Sequence, residues 1–209
     1  MSLTVDNTPP TPEASEPFTP RAEYPRPILV RNQWQSLNGP WSFRVDPDNR
    51  GLTDAWFDGP WTDAQTITVP FSMESAASGI AEAEGAAVVW YQREVIKSEV
   101  WHSRIVLRVG ASDFLTRVFV NGQEVGQHRG GYASFGLDIE HALMPGRNRI
   151  TIRVEDSLSW TQPRGKQAGT TRWPIDYDGV TGIWQSVWLE PLTSVSVSYT
   201  HLRAHETRP

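Results

Sequence analysis

The sequence of 209 residues contains no cysteine, no basic cluster and no long apolar run. Without cysteine the fold uses neither disulfides nor thiolate metal sites. The formal charge of −5, with no Lys/Arg run, argues against a nucleic-acid partner and an anionic membrane surface. No stretch reaches the roughly 20 apolar residues of a membrane helix, and the N-terminus lacks the pattern of a secretory signal. We therefore expect a soluble, cytoplasmic protein.

Helical periodicity is almost absent, and short runs of period two take its place from residue 27 onward. Residues 1–26, rich in Pro, Thr, Glu and Ser, predict a flexible leader. The pattern predicts an all-β, two-sheet antiparallel sandwich of the jelly-roll type over residues 27–192, with a closed barrel as the alternative. The predicted strands cover residues 41–45, 67–69, 88–95, 105–109, 135–139 and 183–189.

Turn signals separate these strands. Asn121-Gly122 suits the two positive φ angles of a type I′ turn and predicts a tight hairpin. Two long segments, residues 46–65 and 157–182, interrupt the strand pattern, and long loops inside a compact domain are usually functional or disordered. The second segment carries Arg, Lys, Asp, Trp and Tyr side chains, which predicts a polar and aromatic rim.

Ten tryptophans stand out in the composition. Indole rings are typical of cores, interfaces and the surfaces beneath sugar rings. Trp160 and Trp173, in the second long segment, are candidates for stacking against a sugar. In the predicted strand 183–189, Trp184 and Trp188 face away from the aliphatic residues, so both faces of the strand should be covered. For the tryptophan face we favour packing against the long loop or another domain over sugar stacking.

Six segments occur along the chain in a fixed order: LNGPWSFRVDP, ITVPFSMES, VVWYQREV, RVFVNGQEVGQHRGGYASFGLDI, GRNRITIRVED and DGVTGIWQSVWLEP. Their sequences and their order resemble the N-terminal sugar-binding domain of glycoside hydrolase family 2, the β-galactosidase and β-glucuronidase family. The resemblance covers roughly residues 30–192. It implies a jelly-roll domain that is followed, in family members, by an immunoglobulin-like sandwich and a TIM barrel.

The resemblance also implies where catalysis takes place. Retaining glycosidases need two carboxyl groups about 5 Å apart, and in this family both are glutamates of the barrel, one of which follows an asparagine. No Asn-Glu pair occurs in this sequence. We therefore expect no catalytic residue and no cofactor in this chain. Its activity would belong to a longer parent, a retaining glycosidase for which a homo-oligomer is one option.

The family places an acid six residues before the glycine of a Gly-Ile-aromatic strand, where it hydrogen-bonds a sugar hydroxyl. Asp176 has this spacing from Gly182, and a shift of the alignment by two residues would select Asp178 instead. A carboxylate suits this role because it accepts charge-assisted bonds from two vicinal hydroxyls. Gly179 and Gly182 should let the backbone turn sharply. The structural alternative is an Asx turn, in which the carboxylate binds its own backbone.

Weaker signals complete the list of candidates. Glu74 lies on a loop that faces the active site in some relatives. His201 and His205 have the spacing of two helical metal ligands, but no third ligand is evident, so we predict no metal site. Residues 193–209 abandon the strand pattern and resemble a non-native tail. Two rival functions stay open: a free-standing carbohydrate-binding module and a purely structural sandwich.

Overall fold

The computed structural model describes residues 19–82, 85–101, 104–157, 162–167 and 175–192. Twelve strands form in this part of the chain, along with three short 3-10 helices at Pro27–Leu29, Ala76–Ser78 and Glu140–Ala142. The strands are β1 (Gln35–Ser36), β2 (Gly39–Val45), β3 (Gln65–Val69), β4 (Val88–Ile96), β5 (Ile105–Val109), β6 (Ser112–Asp113), β7 (Leu115–Val120), β8 (Gln123–Arg129), β9 (Phe135–Asp138), β10 (Arg147–Glu155), β11 (Gly182–Ile183) and β12 (Val187–Pro191).

Two antiparallel sheets face each other. One has four strands in the order β1-β12-β5-β9, and the other has six in the order β3-β2-β4-β10-β7-β8. A short ladder of β11 and β6 forms a third sheet of two strands. The sequence-based prediction of an all-β, two-sheet antiparallel sandwich is confirmed.

The core lies between the two sheets and follows the alternation of the strands. Ile150, Ile152 and Val154 on β10 are fully buried, and Ile105 and Leu107 on β5 are buried in the same cluster. Burial of one such side chain contributes about 1.5–3 kcal/mol. This continuous core fixes the register of the sheets, because a slip by one residue would turn every apolar side chain toward solvent.

The predicted hairpin joins β7 and β8. Asn121 and Gly122 have φ angles of 51° and 87°, the two positive values that a type I′ turn requires. The Asn121 side chain also accepts a hydrogen bond from the backbone N–H of Arg149 at 2.9 Å and donates one to Asn148 at 2.8 Å. The hairpin prediction is confirmed, and this asparagine additionally ties the turn to the start of β10.

The single strand predicted over residues 183–189 is wrong. The chain forms β11 and β12, which pair with β6 and β5 in different sheets. Between them the backbone N–H groups of Trp184 and Gln185 both donate to the carbonyl of Ala111 at 3.3 Å, while Ser186 accepts from Gly110 at 2.8 Å. The apolar pattern continues across this corner because both strands face the same core, so the pattern conceals the break.

The long segment between β2 and β3 packs on the outer face of the six-stranded sheet. Trp56, Phe57 and Trp61 pack against a small cluster that contains Trp90. The buried carboxylate of Asp46 accepts hydrogen bonds from the Trp90 indole at 3.0 Å and from two backbone N–H groups of the segment. The segment therefore serves as a structural cover, which loop length alone did not indicate.

Residues 19–34 lie against the four-stranded sheet. The Tyr24 hydroxyl donates to Glu190 at 2.8 Å, and its ring makes an edge contact with Trp188, which is 1% exposed. The side chain of Asn38 donates to the carbonyls of Pro20 and Arg21. The composition predicted a flexible leader through residue 26, whereas Pro20, Arg21 and Tyr24 make defined contacts here. The Trp188 ring on β12 is thus covered by this N-terminal segment, where packing against the long loop or another domain was expected.

Candidate functional site

The candidate site lies at the end of the sandwich where β6 pairs with β11. Two described parts of the second long segment, residues 162–167 and 175–181, meet there. The backbone N–H of Tyr177 donates to the carbonyl of Lys166 at 2.9 Å, and Gln167 and Tyr177 form a parallel bridge. The Lys166 ammonium lies 5.9 Å from the centre of the Tyr177 ring. These contacts place the two neighbours of Tyr177, Asp176 and Asp178, on one turn.

Side chains hold the backbone that follows this turn. The N–H of Val180 donates to Gln167 Oε1 at 3.2 Å, and that of Thr181 donates to Glu74 Oε1 at 2.9 Å. The N–H of Ile183 donates to the hydroxyl of the completely buried Tyr91 at 3.2 Å. Each neutral bond contributes about 0.5–1.5 kcal/mol, and a bond to a carboxylate about 1.5–3 kcal/mol.

Gly182 lies within this stretch and has a φ angle of +83°. A Cβ atom at this position would overlap the hydroxyl oxygen of Tyr91. Close approach and a positive φ both require glycine here. Gly179 has open space around it and a φ outside the left-handed region, so the sharp turn expected at this second glycine is not found.

Carboxyl groups form the floor beneath the turn. Asp113 is 3% exposed and Asp156 is 8% exposed. Burial, followed by the charge of Asp156, raises the pKa of Asp113 to about 6, whereas hydrogen bonding from Gln167 and the charge of Arg164 oppose the rise. Burial also raises the pKa of Asp156, despite a short hydrogen bond from the Gln162 amide. The floor therefore holds carboxyl groups that are costly to ionise.

Aromatic side chains line the outer side of the turn. Tyr132 is 57% exposed and Tyr177 is 65% exposed. The Tyr132 hydroxyl accepts a hydrogen bond from Gln167 at 3.1 Å, and its ring makes an edge contact with Trp184, whose indole donates to the Gly131 carbonyl at 2.8 Å. A Cβ atom on Gly131 would overlap the Asp113 carboxyl, so the turn carrying Tyr132 closes directly over the acidic floor.

The structure separates the candidates that the sequence put together. Asp176 is half-buried and Asp178 is exposed, both on the turn, while Glu74 lies behind the turn with its Oε1 on Thr181. Trp160 and Trp173 lie outside the described residues, as do His201 and His205. In the described ranges no group of three His, Asp or Glu side chains could hold a metal ion.

Sequence reasoning missed four residues of the site: Tyr91, Asp113, Tyr132 and Gln167. Tyr91 sits in a strand whose pattern indicates only core, and Asp113 sits in β6, a strand of two residues that was not predicted. For Tyr132, the preceding Gly130-Gly131 pair indicates a tight bend, and a bend does not show whether the ring stays exposed. The signal that could have found Tyr91 is the TGIW glycine, because a glycine in a strand often marks the close approach of another group.

Comparison with known proteins identifies the family. The model described as "Glycosyl hydrolases family 2, sugar binding domain" matches residues 34–192. The chain belongs to glycosyl hydrolase family 2 and carries its sugar-binding domain, which confirms the resemblance seen in the sequence. The β-glucuronidase of Paenibacillus borealis is 36% identical over 146 residues, which are 68% of this chain and 24% of that protein. The human β-glucuronidase is 35% identical over 172 residues, covering 74% of this chain and 26% of that protein.

Solved structures agree with this result. A β-glucuronidase from an uncultured Clostridium species superposes with a TM-score of 0.64 at 27% identity, covering 79% of this chain and 30% of that one. The β-glucuronidase of Ruminococcus gnavus gives a TM-score of 0.66 at 25% identity, with coverage of 80% and 30%. This chain thus spans about a quarter of the length of the curated relatives that it matches. In the described part of the chain, no helix is long and apolar enough to cross a membrane.

Proposed function

We propose that this domain supplies one face of a glycosidase active site, in which Asp176 binds hydroxyl groups of the non-reducing sugar. The observation that carries the proposal is the turn at Tyr177, which leaves Asp176 half-buried at its rim. The turn is bonded to residues 166–167 of the same segment, and the residues that follow it are bonded to the sandwich through Thr181 and Ile183. Asp178, one residue beyond Tyr177, is the second candidate for the same contact.

The chemistry of the turn suits a sugar. A carboxylate accepts hydrogen bonds from two vicinal hydroxyls, and such charge-assisted bonds are about twice as strong as neutral ones. The exposed rings of Tyr132 and Tyr177 offer apolar faces beside it. Relatives of this chain are β-glucuronidases, which supports a β-D-glucuronide as the substrate.

Catalysis itself is assigned to a barrel that would follow this domain in the parent protein, together with an immunoglobulin-like domain. The sandwich would brace that barrel and orient the sugar. The domain limits of 27–192, a cytoplasmic location and a homo-oligomeric parent stay predictions.

A chimera tests the proposal. Residues 34–192 replace the matching segment of the Paenibacillus borealis β-glucuronidase, and the hydrolysis of 4-nitrophenyl β-D-glucuronide is measured. Asp176→Asn should lower kcat/KM about 10- to 100-fold, because one charge-assisted bond to the sugar is lost. Asp178→Asn is the matched control and should stay within about threefold. Loss with Asp178→Asn alone would transfer the role to that residue, and two unaffected variants would overturn the proposal.

A free-standing carbohydrate-binding module is the second candidate, favoured by the exposure of Tyr132 and Tyr177 at the rim. Such a module must hold the sugar by itself. Titration of the 209-residue chain with methyl β-D-glucuronide separates the two functions. A Kd below about 1 mM, which corresponds to a binding free energy of more than about 4 kcal/mol in magnitude, would support the module. A Kd above about 10 mM would support a domain that depends on a barrel to bind the sugar.

A further inference from the structure

The backbone between the candidate sugar contacts and the core is held in an unusual way. Only Gly182 and Ile183 of this stretch belong to a strand, and that ladder with β6 is two residues long. Yet the N–H groups of Val180, Thr181 and Ile183 each have a side-chain acceptor. Side chains thus accept the backbone hydrogen bonds that a neighbouring strand would normally accept.

The three acceptors come from separate parts of the fold. Gln167 belongs to the first half of the same long segment, Glu74 follows β3, and Tyr91 lies in the middle of β4. Gln167 acts in two directions, because its Nε2 donates to the Tyr132 hydroxyl at 3.1 Å while its Oε1 accepts from Val180 at 3.2 Å. One amide side chain therefore connects the turn with the aromatic rim.

Glu74 and Tyr91 are placed for a structural contact and not for a ligand. Tyr91 is 0% exposed, and its hydroxyl lies directly beneath Gly182. Glu74 Oε1 accepts from Thr181 at 2.9 Å, and its Oε2 is buried with no hydrogen-bond partner among the described residues. A buried carboxylate oxygen without a partner is costly, so the bond that Oε1 accepts from Thr181 is made at a cost to the stability of the fold.

We propose that Gln167, Glu74 and Tyr91 form a clamp of positioning residues that fixes residues 177–183 and thereby sets where Asp176 and Asp178 stand. This inference rests on the proposed function. None of the three side chains would touch the sugar. They act through the backbone, so their loss should displace the acids and leave the two sheets intact.

Hydrogen exchange measured by NMR on the 209-residue chain tests the clamp directly. Tyr91→Phe removes the hydroxyl and should speed exchange of the Ile183 amide at least about tenfold. Gln167→Met keeps the length of the side chain and should do the same at Val180. Glu74→Leu should speed exchange at Thr181, whereas Glu74→Gln, which retains an acceptor oxygen, should restore most of the protection.

Controls separate local release from unfolding. Gln127→Met changes an exposed glutamine on β8 and should leave all three amides protected. The Ile152 amide, in the centre of the six-stranded sheet, should stay protected in every variant. If the Val180, Thr181 and Ile183 amides exchange at wild-type rates in their respective variants, the clamp is overturned.

Kinetics of the chimera with the Paenibacillus borealis β-glucuronidase distinguish failure of the clamp from failure of the proposed function. The kcat/KM for 4-nitrophenyl β-D-glucuronide should fall at least about threefold in Gln167→Met and Glu74→Leu, and recover in Glu74→Gln. An undiminished kcat/KM in variants whose amides are released would overturn the positioning role while the function stands. Wild-type kcat/KM in both Asp176→Asn and Asp178→Asn, with the expected exchange rates in the clamp variants, would refute the sugar contact and leave the clamp as a purely structural device.

Discussion

The hydroxyl oxygen of Tyr91 lies 3.2 Å from the backbone nitrogen of Ile183, and the α-carbon of Gly182 passes so close to it that no side chain fits between them. A buried tyrosine of β4 is thereby joined to the segment that carries the candidate sugar contacts. This relationship connects the core of the sandwich with its functional end and explains why a glycine stands at position 182.

Substitution of this glycine should be costly. Gly182→Ala combines a left-handed backbone, which costs about 1–2 kcal/mol, with overlap of the Tyr91 hydroxyl, so we expect a loss of about 3 kcal/mol in urea unfolding. Gly146 has a φ angle of +79° and open space where a Cβ atom would lie, so Gly146→Ala should show the cost of the left-handed backbone alone. Equal losses for the two variants would mean that the contact with Tyr91 contributes nothing.

The stability of the fold should depend on the protonation of Asp113. Burial and the charge of Asp156 raise its pKa from 3.8 to about 6, so the folded state holds this proton more tightly than the unfolded chain. The contribution of this bound proton to the free energy of unfolding is complete below about pH 4 and is lost as the pH rises through about 6. Asp113→Asn should therefore gain up to about 3 kcal/mol relative to wild type between about pH 4 and about pH 8.

The control for this titration is Asp48→Asn, which changes an exposed carboxyl group. Its free energy of unfolding should run parallel to that of the wild type across the same range. If the difference in free energy of unfolding between Asp113→Asn and wild type does not change with pH, the raised pKa of Asp113 is contradicted.

A buried carboxylate holds the N-terminal segment in place. Glu190 is fully buried; burial raises its pKa, but hydrogen bonds from Tyr24, Arg108 and Trp188 outweigh this and leave the pKa lowered. Glu190→Ala would strand these donors, and we expect a loss of about 3–5 kcal/mol near pH 7. The difference in free energy of unfolding between wild type and Glu190→Ala should shrink as the pH falls below about 4. A carboxyl group with a lowered pKa stabilises the fold only while it is ionised, and it becomes protonated at low pH.

An exposed ion pair provides the comparison for Glu190. Glu94 lies 2.7 Å from Arg147, with both side chains more than half exposed. Glu94→Ala should cost less than about 1 kcal/mol in the same unfolding experiment. A small effect at Glu190 as well would show that the segment 19–34 is not anchored by this carboxylate.

The cover over the six-stranded sheet should be structural. The centre of the Trp56 ring lies 5.9 Å from that of Trp90 and 6.5 Å from that of Trp61. This cover lies on the outer face of the six-stranded sheet, whereas the turn at Tyr177 lies at one end of the sandwich. Trp56→Ala should lower the free energy of unfolding by about 2–3 kcal/mol, since its ring is half-buried. In the chimera with the Paenibacillus borealis β-glucuronidase, Trp56→Ala should leave the KM for 4-nitrophenyl β-D-glucuronide unchanged, and a raised KM would assign this cover a part in binding.

Strand periodicity and turn chemistry were sufficient to predict the sandwich. The alternation on β5 and β10 and the Asn121-Gly122 turn are local signals, and the structure follows them closely. The corner at Trp184 was missed because β11 and β12 bury the same face, so the sequence pattern does not change when the strand passes from one sheet to the other.

The site itself was only partly accessible from the sequence. Asp176 and Asp178 were selected by the resemblance to the family, which places an acid at this distance before the glycine at position 182. The clamp depends on contacts between residues far apart in the chain, such as Glu74 with Thr181 and Tyr91 with Ile183, and no local pattern reports such pairs. The buried position of Asp113 is likewise a consequence of how the turn at Gly131 closes over it.

The central claim is that Asp176 binds a sugar hydroxyl, and the kcat/KM of the chimera with the Paenibacillus borealis β-glucuronidase on 4-nitrophenyl β-D-glucuronide tests it most directly. We predict that Asp176→Asn lowers this kcat/KM about 10- to 100-fold, while Asp178→Asn stays within about threefold of the wild type. A kcat/KM of Asp176→Asn that matches the wild type would contradict the account.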